Sequence, residues 1–246
     1  MPLKLLLVVA HPDDECFAFG GALLLAADAG HQTHVLCLTD GQSASNRGPA
    51  QSNEELGRIR RAEFAASCQV LGVTHHDSWG LQDGQLEFAP FSETAGRLVQ
   101  YIRTLKPDVI LTFGPDGAVN THPDHTLVSA LTSAAYHWAA AAKRYPQAGP
   151  PHTAQRLYLL STSYFMQGRP APLPSPWTVT LDIRQVMQRK HEAFCQHHSQ
   201  APLVAQTKEM FEQHGQYEHY TLAATPHPQP AHPQTSLFES LTPATA

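Results

Sequence analysis

The chain has 246 residues, enough for one large domain with its own core. With 42% hydrophobic and 15% charged residues, its composition is that of an ordinary soluble protein and not of a disordered or membrane-embedded one. A net charge of −5 argues against nucleic acid or a membrane surface as the main partner.

Leu3 to Val9 is a continuous apolar run, the pattern of a strand buried on both faces. Leu5 to Ala10 is too short for a signal-peptide core and leads straight into acidic residues. No apolar stretch approaches the length of a membrane span, so a soluble, cytoplasmic protein is expected. Phe17 to Ala29 reads as a helix stopped by Gly30, and Thr33 to Leu38 as a second strand before the turn Thr39-Asp40-Gly41. A long polar loop, Gln42 to Ser52, leads to a helix capped by Asn53 and running through Val70. Val73 to Trp79 is a short strand, Phe91 to Leu105 a helix ending before Pro107, and Val109 to Phe113 another buried strand. His125 to Ala142 is an Ala-rich helix after Pro123, and Leu157 to Ser161 one more strand.

Pro170 to Pro176 reads as a stiff linker or lid base, followed by a strand, Thr178 to Leu181, and a helix from Ile183 to about His198. Residues 1–224 are expected to form a single domain, and 225–246, rich in Pro and His, a poorly ordered tail. The alternation of strand and helix predicts an α/β fold: a Rossmann-like, mostly parallel sheet with helices on both faces. Its site would lie at the C-terminal ends of the strands. Gly20-Gly21 lacks the full dinucleotide-binding spacing and is expected to serve close helix–sheet packing. Four widely spaced cysteines without a Cys-x-x-Cys pair read as free thiols.

Two clusters carry chemistry. Ala10-His11-Pro12-Asp13-Asp14-Glu15 follows the first strand, and His122-Pro123-Asp124-His125 follows Val109 to Phe113. Both should reach the same rim of the sheet. His11, Asp14 and His125 supply two imidazoles and a carboxylate, a set suited to Zn²⁺, and also to Fe²⁺ or another divalent ion, with a position left open for catalysis. Asp13, beside a ligand but pointing elsewhere, is placed to act as general base. His122 could stabilise an oxyanion or protonate a leaving amine. Asp124 either orients it or simply favours the helix start.

Together these motifs resemble the LmbE-like, or PIG-L-like, N-acetylglucosamine deacetylases over most of residues 3 to 200. Arg60 and Glu63 ahead of Leu71-Gly72-Val73, and Lys190 with His197, Ser199 and Gln200, match further parts of that family's pattern. The resemblance implies zinc held by His11, Asp14 and His125, Asp13 as base, and His122 as oxyanion or acid partner oriented by Asp124. It also implies Arg60 as a contact to the sugar or an anionic aglycone. The chain departs from some members at Asn120-Thr121, where those carry Tyr or Arg.

The implied activity removes the N-acetyl group from an N-acetylglucosamine conjugate, N-acetylglucosaminyl-malate or -inositol in thiol biosynthesis being the first choice. The partner is then a small N-acetylated amino sugar, with no nucleic acid or membrane; a homo-oligomer stays open. Two alternatives remain: a non-haem Fe(II) oxygenase, whose triads usually sit in all-β barrels, and a non-catalytic sugar-binding protein retaining the metal site. Glu15 reads as a further ligand, as a supporting group behind the ligands, or as a helix cap. His75-His76 with Asp77 reads as polar surface, and Asp83-Gly84 as a turn.

Overall fold

The first apolar run is a strand buried on both faces, β1 (Lys4–Val9), in which Leu5 to Val9 are wholly buried. The computed structural model describes residues 2–162, 164, 166, 168, 170–227 and 232–242. After β1 come α1 (Asp14–Phe17), α2 (Gly20–Asp28), β2 (Gln32–Thr39), α3 (Asn53–Val70), β3 (His75–Leu81) and α4 (Phe91–Leu105). Then follow β4 (Val109–Thr112), α5 (Pro123–Ala140), β5 (Arg156–Leu160), β6 (Val179–Asp182), α6 (Met187–Phe194), α7 (Ala201–His214) and β7 (Tyr217–Ala224).

The strands form one sheet in the order β3-β2-β1-β4-β5-β7-β6. β1 pairs in parallel with β2 and β4, β2 with β3, and β4 with β5. β7 runs antiparallel to both β5 and β6. The expected α/β architecture is correct, with α4 packed on α5 in one layer and α3 on α6 in the other. Strand order reverses between β1 and β4, and the crevice at such a reversal is where open α/β sheets bind ligands. Both chemical clusters follow the two strands that flank it.

Several boundaries differ from the sequence expectation for identifiable reasons. The helix expected over Phe17 to Ala29 is broken at Ala18-Phe19, because α2 has its own anchored start. Glu218 of β7 accepts hydrogen bonds from Gly21 N (2.7 Å) and Ala22 N (2.9 Å). A Cβ at Gly21 would collide with Ile183 and Glu218, so this glycine does serve close packing. The cap of α3 is Ser52, not Asn53; its hydroxyl accepts from Glu55 N at 3.1 Å. β3 begins at His75 because Val73 still belongs to the end of α3. Its N–H reaches Cys68 O (2.9 Å) around Gly72, which has φ 70°. α5 starts at Pro123 with His122 as its cap.

α6 is shorter than expected, and α7 and β7 are new. β7 escapes a period-2 apolar reading because one of the residues it buries is a carboxylate, Glu218. Part of the C-terminal segment pairs with the sheet where it is described. Gln234 N donates to Thr178 O and Thr180 N to Gln234 O, laying the tail along β6. Leu237 is buried, and the buried Arg156 donates to the carbonyls of Leu237 and Glu239. Residues 228–231 and 243–246 of the expected tail lie outside the described residues. All four cysteines are free, three of them buried. Among the described residues no helix is long and apolar enough to cross a membrane.

Candidate metal centre

At the β1/β4 crevice three side chains converge: His11 from the loop after β1, Asp14 from the start of α1 and His125 from the first turn of α5. His125 Nε2 lies 3.2 Å from Asp14 Oδ1 and 3.3 Å from His11 Nδ1, and His11 Nδ1 lies 3.6 Å from Asp14 Oδ2. Tetrahedral coordination at about 2.0–2.1 Å sets ligand atoms about 3.3 Å apart, so this spacing fits one divalent ion. Asp14 is anchored by His11 N (2.8 Å) and Ala10 N (3.2 Å), both donating to Oδ2.

Each imidazole is held from behind by an acceptor that fixes its tautomer. His125 Nδ1 sits 3.1 Å from Gly117 O, and its ring stacks on Phe113 at 3.9 Å, leaving the Nε2 lone pair toward the donor cluster. His11 Nε2 lies 3.1 Å from Asp124 Oδ2 and 3.1 Å from Asp83 Oδ1, leaving Nδ1 inward. Carboxylate–histidine support of this kind is typical behind metal ligands. Burial works against an imidazolium at His11, yet Asp124, Asp14 and Asp83 outweigh it and hold its pKa well above the usual range. The cluster therefore stabilises positive charge, which is what a cation site requires.

The Asp124 carboxylate hydrogen-bonds His11, with a His122 ring nitrogen within 4.8 Å, and is fixed by Gly84 N (2.7 Å) and Leu86 N (3.2 Å). His122 caps α5, its Nδ1 accepting from Asp124 N at 3.2 Å. That places the ring proton on Nε2. Burial, with His11 and His125 nearby, pushes the His122 pKa down to about 4, so the ring is a neutral donor at neutral pH.

Asp13 occupies a strained backbone position with φ 113°. Three groups hold it there. Glu15 Oε2 accepts from Asp13 N (2.9 Å), Phe17 N donates to Asp13 O (2.9 Å), and Arg60 Nη2 donates to Pro12 O. Arg60 Nη2 also pairs with Asp13 Oδ2 at 2.8 Å, while Nη1 donates to Gly41 O at 2.9 Å. Arg60 is thus largely buried and bonded to the loop that carries Asp13, at the wall of the cleft over the cluster. Burial raises the Asp13 carboxyl to about 6, with Arg60 pulling it back and Asp14 pushing it up.

Glu15 is not among the converging donors. It bonds His197 Nε2 (2.8 Å) and Ser67 Oγ (2.5 Å), all three wholly buried. Burial raises its pKa, but His197 and Ser67 outweigh that and hold it low, so it stays an anion able to grip Asp13 N. Glu63 similarly accepts from Ser199 N and Oγ, both at 2.7 Å. A cleft of about 370 Å³ opens over the cluster, with Asp13, His122, Asn46, Asp83 and Gln200 on its walls.

Residues 6–136 match the PIG-L family, described as GlcNAc-PI de-N-acetylase. The chain belongs to this family. It is similar to a 1D-myo-inositol 2-acetamido-2-deoxy-alpha-D-glucopyranoside deacetylase of Rhodococcus jostii, 30% identical over 82% of each chain. A probable N-acetyl-alpha-D-glucosaminyl L-malate deacetylase 2 of Bacillus cereus is 34% identical over 51% of this chain and 57% of that one. Among solved structures, a conserved protein of Thermus thermophilus superposes with a TM-score of 0.70 at 28% identity, covering 93% of this chain and 98% of the other. This PIG-L chain is a deacetylase on an α/β frame, unlike the all-β barrel on which the oxygenase alternative rests.

Asp83 is the residue that sequence reasoning missed. It passes for the first half of an Asp-Gly turn, yet it reaches both His11 Nε2 and, through Oδ2, Ser43 N at 2.9 Å. The one signal was its place just past β3, on the same rim as the two motifs.

Proposed function

We propose that this PIG-L chain is a divalent-metal-dependent amidase that removes acetate from an N-acetylglucosamine conjugate, the inositol and malate conjugates named for its relatives being the first substrates to try. The convergence of His11 Nδ1, Asp14 and His125 Nε2 supports the metal, zinc being the best match to two imidazoles and a carboxylate, with Fe²⁺ or another divalent ion the alternative. When bound there, the ion would polarise the amide carbonyl and acidify water.

The protein's own groups supply the rest. Asp13 takes a proton from the water whose oxygen attacks the acetyl carbon, with Arg60 fixing one carboxylate oxygen and the other turned to the cleft. His122, neutral and protonated on Nε2, donates to the developing oxyanion. Asp13 then returns the proton to the departing nitrogen, the C–N bond breaks, and acetate and a free amine leave. Asp83 and Asp124 keep the His11 ring aligned throughout.

The test is amine release from a panel of N-acetylglucosamine conjugates, before chelation, after it, and after return of one metal at a time. Activity that survives complete removal of metal would sink the proposal. Asp124→Asn and Asp83→Asn should each weaken metal binding by about 10–100-fold, because each removes one of the two anions behind His11. Competition with a calibrated chelator reads this directly. Unchanged affinity in both variants would remove the supporting role.

A further inference from the structure

Glu15 grips Asp13 N from a wholly buried position, where a carboxylate is costly unless donors surround it. One of those donors comes from far along the chain. Glu15 Oε1 accepts from Ser67 Oγ of α3 (2.5 Å) and from His197 Nε2 (2.8 Å), which leaves Oε2 to Asp13 N (2.9 Å). His197 Nδ1 has no partner among the described residues, so the one polar tie of this buried ring is to Glu15.

The segment that carries the ring is tied on both sides. His197 N donates to Phe194 O (3.1 Å) at the end of α6, and His197 O accepts from Gln200 N (2.8 Å). Ser199 is clamped to Glu63 of α3 through its N–H and its hydroxyl. A buried imidazole–carboxylate pair adds little stability over apolar packing. Its consequence lies at Asp13, whose φ of 113° persists only while the surrounding structure over-determines it.

We infer that His197 is a positioning residue for the reaction: by fixing the Glu15 carboxylate it holds the Asp13 backbone in the conformation that presents the Asp13 side chain to the cleft. The inference rests on the reading of Asp13 as the base. Without the imidazole donor, the buried Glu15 anion lacks a partner and is relieved by turning toward another, which takes Oε2 off Asp13 N. Asp14 does not follow, because its anchors are His11 N and Ala10 N. Misplacing a reacting group by about 1 Å costs about 10²-fold in rate, here with metal and sugar still bound.

The experiment uses the metal-loaded protein and N-acetylglucosaminyl-inositol, with free amine as the readout. His197→Leu should lower kcat by about 10²-fold, while KM, and metal affinity measured by chelator competition, keep their wild-type values. His197→Gln, whose amide nitrogen reaches the place of Nε2, should recover most of the loss. Glu15→Gln should also lose kcat, because one amide oxygen cannot accept from His197, Ser67 and Asp13 N together. Adding His197→Leu to it should then cost nothing further. A crystal structure of His197→Leu should show Asp13 relaxed from its positive φ. Should that variant fail to fold, His197→Asn, too short to reach Glu15, gives the same reading. Wild-type kcat in a folded His197 variant, additive losses in the double variant, or KM and metal affinity worsening in step with kcat would overturn the positioning role. No amine from the wild type with this or any other conjugate would instead overturn the deacetylase reading.

Discussion

Asp13→Asn should lower kcat by about 10²–10⁴-fold, the usual range for loss of a positioned general base, while metal content stays at the wild-type level. The change is nearly isosteric and leaves His11, Asp14 and His125 untouched. Its effect on the strained loop is small, since the groups that hold the backbone of Asp13 are Glu15, Phe17 and Arg60 acting on main-chain atoms. An amide can still accept from Arg60, but it cannot take a proton from water. The sign of the pH dependence follows from the ionised form being the active one. Burial lifts Asp13 to about 6, so activity should rise with pH up to a limb at or below about 6. Arg60→Gln removes the cation that favours the ionised carboxylate and should shift that limb upward. A substrate-contacting arginine would instead raise KM and leave the limb in place. Pre-steady-state amine release, a pH profile of kcat and metal analysis of the purified variants check all three statements. A fully metallated Asp13→Asn with near wild-type kcat would mean that another group is the base.

The convergence of His11, Asp14 and His125 was legible in the sequence because they lie in two short motifs directly after doubly buried strands, and such strands can only end on one rim of a parallel sheet. What stayed hidden is the wiring between motifs. Asp124 could be read as serving its near neighbour His122, because sequence proximity says nothing of the Asp124 carboxylate turning across the crevice to His11. For Arg60 the family resemblance implied a contact to the sugar or its aglycone. Its burial is set by the carbonyls of Pro12 and Gly41, which no periodicity reveals. Asp83 had only a turn-like context. The C-terminal third was least legible, since α7 has a weak apolar pattern and β7 buries charge. Long-range polar pairs there replace the hydrophobic alternation on which strand recognition depends.

The largest stability effect is expected from one of those pairs. Lys190 Nζ and Glu218 Oε1 are 2.7 Å apart, and both side chains are only 3% exposed. Burial disfavours the Lys190 charge, but Glu218 more than offsets this and raises its pKa above the ordinary lysine range. Glu218 also accepts from Gly21 N, Ala22 N and the Tyr220 hydroxyl, so one carboxylate satisfies four donors from α2, α6 and β7. Glu218→Leu leaves a buried ammonium and three further donors unpaired. Breaking a buried pair in this way costs about 3–5 kcal/mol, and at about 2–4 °C per kcal/mol for a chain of this size the melting temperature should fall by roughly 6–20 °C. Lys190→Met should cost clearly less, because Glu218 keeps three hydrogen-bond donors, two of them at the positive end of α2. The asymmetry is the diagnostic result. If the two were joined only by charge, the two single variants would cost about the same. Urea unfolding of both variants measures it, and equal losses, or a Glu218→Leu loss under about 1 kcal/mol, would show that β7 is held to α2 by packing alone.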